Sequence, residues 1–289
     1  MQALEAVTSI SFRNILFLTD FTEASEPALA FAKSFARRYD AHFYPAHVQM
    51  PSEGNFETAA RKLEENRERA AQTVRGLDLN FEPIAREGFI EEVVPQLIAE
   101  HGIDLIVMGT HGRKGVSRLL LGSTAETIFR SVSCPVVTVG PNVAETPNWK
   151  TRIGSVLVAA DLSLASEHSI PYALSFARES HCRFTLMHVV PKEYRSHSDA
   201  SLMRSLEGEL KKLVPKESKA WCQPQIVVTK GRPAEEILRT ADDSRADLIV
   251  LGLPRKKEFT THFRTGVTYS VISQARCPVL TVRDFNILA

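Results

Sequence analysis

Gly109, Gly112, Gly122 and Ser123 are spaced as G-x-x-G, nine residues, then G-S. The chemistry open to such a run is anion binding. Glycines let the main chain come close to a phosphate, and a helix start aims unpaired N–H groups at it. The apolar run Asp104-Leu-Ile-Val-Met108 ahead of the loop predicts a buried parallel strand. Ser123-Thr-Ala-Glu126 after it predicts a helix start in which Ser123 is the N-cap and Glu126 completes a capping box. Arg113, Lys114 and Arg118 add positive potential. No lysine stands in the G-K-[ST] arrangement, so this is not a P-loop NTPase.

A cradle needs elements to hold it. Short apolar runs alternate with helical patterns: strands at 15–19, 43–48, 81–85, 105–108 and 136–139, and helices at 26–39, 55–77, 90–101 and 123–131. This alternation predicts βαβ units and an open parallel sheet with helices on both faces. Ligands of such sheets sit at the carboxyl ends of the strands, where strand order reverses. Asp20 ends the first strand and Gly109 the fourth, so both reach that crevice if the two strands are neighbours. Asp20 can equally cap the helix that follows.

The whole pattern occurs twice. Asn14–Asp20 matches Ser155–Asp161, Pro45–Val48 matches Leu186–Val189, Asp104–Gly109 matches Asp247–Gly252, and Ser133–Val139 matches Arg276–Val282. The offset is 141 at the first two landmarks and 143 at the last two. Agreement in order and spacing marks a duplication. It predicts two tandem five-stranded domains, 1–141 and 153–289, joined by a Pro-containing linker, 142–152. The second copy keeps Gly252 but has Arg255, Thr265 and Gly266 at the later positions of the glycine pattern, so its cradle is degenerate.

The remaining features narrow the class. At 44% hydrophobic and 24% charged, the 289 residues suit a globular protein with a real core. A net charge of +1 gives no general case for nucleic acid or an anionic membrane as partner. No apolar run is long enough to span a bilayer, the N-terminus does not read as a secretory signal, and four scattered cysteines suggest neither zinc nor disulfides, so a cytoplasmic setting is expected. His47 and His188, which close matching strands, and Cys134 and Cys277, which precede proline, read as structural. The charged helix at 55–77 reads as a solvated face over the sheet, and no nucleophile–base–orienter set is present.

These residues resemble the universal stress protein family in its tandem two-domain form. The resemblance rests on the glycine signature, the strand ending at Asp20, the His47-Val48 pair, Cys134-Pro-Val-Val-Thr-Val139 and Gly231-Arg-Pro-Ala-Glu-Glu-Ile-Leu238, and it covers about 14–140 and 153–283. It implies ATP or another adenine nucleotide in the first domain, with Asp20 near ribose and adenine, the Val48 main chain at the adenine edge, and Met108 and Gly109 beside the ribose. It places His111, Gly112, Gly122, Ser123 and Thr124 around the phosphates. Mg²⁺ could bridge those phosphates, with Asp20 as the nearest carboxylate. The implied role is a nucleotide-dependent stress regulator with a protein partner and a possible homodimer. A slow ATP hydrolase and a nucleotide-free scaffold are the alternatives.

Overall fold

A computed structural model describes residues 10–51, 56–110, 122–143, 153–193, 199–253 and 266–283. The chain divides into two compact units, Ser11–Lys150 and Thr151–Ala289, with Ile10 joined to the latter. The Ile10 N–H donates to Ser175 Oγ at 2.8 Å. Most of the linker expected at 142–152 lies outside the described residues.

In the first unit, β1 (Asn14–Leu18), β2 (His42–Gln49), β3 (Ile84–Glu87), β4 (Leu105–Gly109) and β5 (Val136–Val139) form a parallel sheet in the order β3-β2-β1-β4-β5. Ile15, Leu16 and Phe17 of β1 and Leu105, Ile106 and Val107 of β4 are fully buried. Such unbroken apolar runs are what a parallel strand covered on both faces requires. Strand order reverses at β1, which lies between β2 and β4. Right-handed crossovers therefore put α1 (Glu26–Tyr39) and α2 (Phe56–Gln72) on one face, and α3 (Ile90–His101) and α4 (Ser123–Ser131) on the other. α1 packs on β1 and β4, α2 on β2 and β3, and α3 on α4. Ala28, Leu29, Phe31, Ala32, Phe35 and Ala36 make the buried stripe of α1.

The second unit repeats the layout. β6 (Ser155–Ala159), β7 (Arg183–Pro191), β8 (Pro224–Gly231), β9 (Leu248–Leu253) and β10 (Val279–Arg283) are parallel in the order β8-β7-β6-β9-β10. Its helices are α5 (Leu164–Ser180), α6 (Asp199–Lys212), α7 (Pro233–Asp243) and α8 (Val267–Gln274).

Three expectations need correction. The third strand begins at Ile84 rather than 81. Phe81 makes only an isolated bridge to Phe43, because Pro83 has no N–H for the ladder and interrupts it. α2 stops at Gln72 rather than 77. There Thr73 Oγ1 donates to the Ala70 carbonyl at 2.7 Å, the next N–H bonds tighten to i−3, and Gly76 turns to φ +78°. Finally, Ser123 is the first residue of α4 and Gly122 is its N-cap, so the capping box does not form. Glu126 instead pairs with Arg130 at 3.0 Å.

Duplication extends to details the sequence hides. Asp104 accepts from the Arg13 and Asn14 N–H groups at 2.7 and 3.1 Å, and Asp247 accepts from those of Gly154 and Ser155 at 2.7 and 3.0 Å. Each carboxylate anchors the amino end of the first strand of its own unit. Burial pushes the Asp104 carboxyl upward, against the two N–H bonds.

Candidate functional site

At the carboxyl ends of β1, β2 and β4, the first unit opens into a cleft of about 700 Å³. Its position is the switch point where an open α/β sheet accepts ligands, and its size suits a small organic ligand. Asp20, Val48, Met108, Gly109, Gly122, Ser123 and Thr124 all line it. These residues are drawn from positions 20 to 124 and meet because β2 and β4 flank β1. His111 and Gly112, with Arg113, Lys114 and Arg118, lie outside the described residues.

The turn after β1 is built around Asp20. Its Oδ1 accepts from the Thr22 N–H at 3.1 Å and from Thr22 Oγ1 at 2.7 Å. This Asx turn holds Phe21 at φ +60°, a left-handed conformation that is costly for a residue with a Cβ. The N-cap of α1 is Ser25, so Asp20 does not cap that helix. Asp20 is exposed toward the cleft, and among the described residues nothing donates to its Oδ2.

Gly122 closes the other side. Its N–H donates to the Thr110 carbonyl at 2.9 Å, and Thr110 N–H donates to Val139 at 3.1 Å. A Cβ at Gly122 would lie 3.0 Å from the Thr110 oxygen. Gly122 therefore lies close against the end of β4. Among the described residues no side chain caps α4, so its first N–H groups, beside the exposed Ser123 and Thr124, stay open toward the cleft.

Three residues of the charged helix α2, whose sequence predicts a solvated face, also line the cleft: Lys62, Asn66 and Arg69. The spacing of four and three puts them on one helical face, and Asn66 is only 7% exposed. The available signal was an asparagine amid Leu63, Ala70 and Val74 on the inward stripe. The Arg69 guanidinium lies 4.1 Å from the Phe21 ring centroid, and Phe21 lies 4.7 Å from the His47 ring. His47 Nδ1 is 2.7 Å from the Thr19 carbonyl, and His188 Nδ1 is 2.7 Å from that of Ala160. A histidine at this point thus ties two strand ends together in both units.

The second unit keeps the scaffold and differs at the start of its last helix. Asp161 makes the same Asx turn with Ser163, and Leu162 has φ +64°. There, however, Ser166 Oγ also donates to Asp161 Oδ1. Burial disfavours the Asp161 charge, but the Ser163 and Ser166 bonds outweigh it and hold the carboxyl below its ordinary range. α8 begins at Val267, 39% exposed, where α4 presents Ser123 and Thr124. A Cβ at Gly252 would sit 2.2 Å from the Ala165 carbonyl oxygen, so close packing alone demands that glycine. Arg255 and Thr265 lie outside the described residues.

Among the described residues no group of three or more His, Cys, Asp or Glu could hold a metal ion, and no helix is long and apolar enough to cross a membrane. Burial pushes the Cys134 and Cys277 thiols up to about 12 and Cys222 to about 11.

The profile of the universal stress protein family matches residues 11–140 and again 153–283. A universal stress protein of Methanocaldococcus jannaschii is 30% identical over 141 residues, covering 44% of this chain and 82% of its own. One from Mycobacterium bovis is 22% identical over 234 residues, 79% of this chain and 78% of its own. Among solved structures, a universal stress protein from Archaeoglobus fulgidus superimposes with a TM-score of 0.71 at 19% identity, over 96% of this chain and 98% of that one. With its strand order, its duplicated core and both halves matched, the chain belongs to the universal stress protein family, in tandem form.

Proposed function

We propose that the first unit binds ATP and that the protein acts as an adenine-nucleotide-dependent regulator in the cytoplasm, working through a protein partner. One observation carries this reading: a cleft of about 700 Å³ at the β1–β4 switch point is closed by Gly122 and the uncapped start of α4. The cleft fits the nucleotide. Asp20, Val48, Met108 and Gly109 supply the nucleoside end, and Gly122, Ser123 and Thr124 supply a glycine approach, two hydroxyls and open N–H groups for phosphates. His111 and Gly112 extend that end in the sequence. Asp20 would supply a carboxylate to a Mg²⁺ bound with the nucleotide, which would offset phosphate charge. The second unit, with Val267 where α4 presents Thr124, serves as a structural partner.

ATP regulates by binding one conformational state more tightly than another, and the bound state gains that difference. At a concentration a hundred times Kd the gain is about 2.7 kcal/mol, which raises Tm by roughly 5–10 °C in a unit of this size. The test is to heat-denature the purified protein, identify adenine nucleotides in the supernatant by mass, and follow Tm with added ATP. Released adenylate and a rise in Tm are expected. No adenylate and no rise would leave the scaffold reading in its place. Size measurement of the same sample with and without ATP tests for a homodimer.

A further inference from the structure

A chain of amide bonds runs from β3 into the cleft. Gln49 Nε2 donates to Glu87 Oε2 at 2.7 Å, and Asn66 Nδ2 donates to Gln49 Oε1 at 2.9 Å. Gln49 and Asn66 are 6% and 7% exposed, and both line the cleft. The polarity of this chain follows from its far end. A carboxylate can only accept, so Gln49 must turn its NH₂ to Glu87 and its oxygen to Asn66. Asn66 must then turn its own NH₂ to Gln49. The remaining polar atom, Oδ1, has no donor among the described residues. A buried asparagine that lines a ligand cleft with an unused acceptor favours a ligand that brings a donor.

We propose that Asn66 reads the exocyclic group at position 6 of the bound base, accepting from an amine and rejecting a carbonyl, and that Glu87 is the positioning residue that fixes this polarity through Gln49. The proposal rests on the nucleotide reading above. With phosphates at the start of α4, the base extends toward Val48 and Gln49 at the end of β2, the strand on which α2 packs. There a 6-amino purine finds an acceptor. A 6-oxo purine would set its oxygen against Asn66 Oδ1 and leave both acceptors unpaired, which is the costly outcome in a buried site.

The experiment titrates the full chain with ATP and with inosine 5′-triphosphate, which carries a 6-oxo group in place of the amine. The wild-type protein is expected to bind ATP about tenfold more tightly, or better. In Asn66→Ala that ratio falls to within about threefold. In Glu87→Gln, where the end group can donate as well as accept, the ratio falls while ATP still binds. A wild-type ratio near one, or an unchanged ratio in Asn66→Ala, overturns the reading of the base. A lowered ratio in Asn66→Ala with an unchanged one in Glu87→Gln overturns the positioning role. If Asn66→Ala does not fold, Glu87→Gln decides, and an unchanged ratio there overturns the proposal. Binding of neither triphosphate to the wild-type chain removes the nucleotide reading itself, and this inference with it.

Discussion

Ser166 Oγ lies 2.5 Å from Asp161 Oδ1, a bond the first unit lacks. Ser25, at the matching position, donates to the Thr22 carbonyl at 2.7 Å and leaves Asp20 to Thr22 alone. A single hydroxyl thus separates an aspartate held by two side chains from one held by Thr22 alone.

This difference has a pH signature. Asp161 is held below its ordinary value of 3.8, so its folded form releases a proton more readily than its unfolded form. The stability it contributes is fully present above about pH 4 and is lost as pH falls through the depressed folded value. Ser166→Ala removes one of the bonds responsible. Acid unfolding followed by circular dichroism should show less loss of stability below pH 4 in this variant, relative to its own value at pH 7. An identical pH dependence would contradict the assignment.

Gly252→Ala should cost at least about 2 kcal/mol, because the new Cβ meets backbone atoms of Ala165 and Ser166 that cannot swing aside. Urea unfolding measures this, and a cost below 1 kcal/mol would show that the packing relaxes freely. The first glycine of the pattern is thus kept in a unit that has lost the others, for a reason unrelated to ligand.

Gly102 ends α3 at φ +60°, and Arg245, its counterpart after α7, takes φ +48°. A side chain there carries a steric cost that glycine avoids. Arg245→Gly should therefore stabilise the protein by about 0.5–1 kcal/mol, visible as a rise of about 2 °C in Tm. A fall in Tm would mean that the arginine side chain contributes more than its backbone costs.

Thiols raised to about 11 or 12 are almost wholly protonated near neutral pH. Alkylation of the native protein at pH 7.5 should be slow, and should become rapid in denaturant. Rapid labelling of Cys277 in the folded chain would contradict its burial.

The sheet and its duplication were legible because parallel strands covered on both faces must be continuously apolar, as Leu105–Met108 and Leu248–Leu251 are. At Gly122 the spacing of the pattern coincides with a tight approach, since a Cβ there would lie 3.0 Å from the Thr110 carbonyl oxygen. What escaped were side-chain relations set by packing. Asn66 sits in a charged helix whose sequence reads as solvated, and only its placement over β2 and β3 turns it inward. The capping box failed because α4 begins at Ser123, where the Gly122–Thr110 bond sets the helix start, one residue earlier than local propensity favours. Ser166 has the same type as Ser25, so no residue count could show that they bond differently.

The central claim is an asymmetric pair, one unit gripping ATP and the other not. Calorimetric titration with ATP tests it most directly, in the wild-type chain and in Gly122→Val, where the added side chain would enter the gap against Thr110. The account predicts one site per chain in the wild type and none in the variant, with the variant still folded. Two sites in the wild type, or one site undiminished in Gly122→Val, would contradict it.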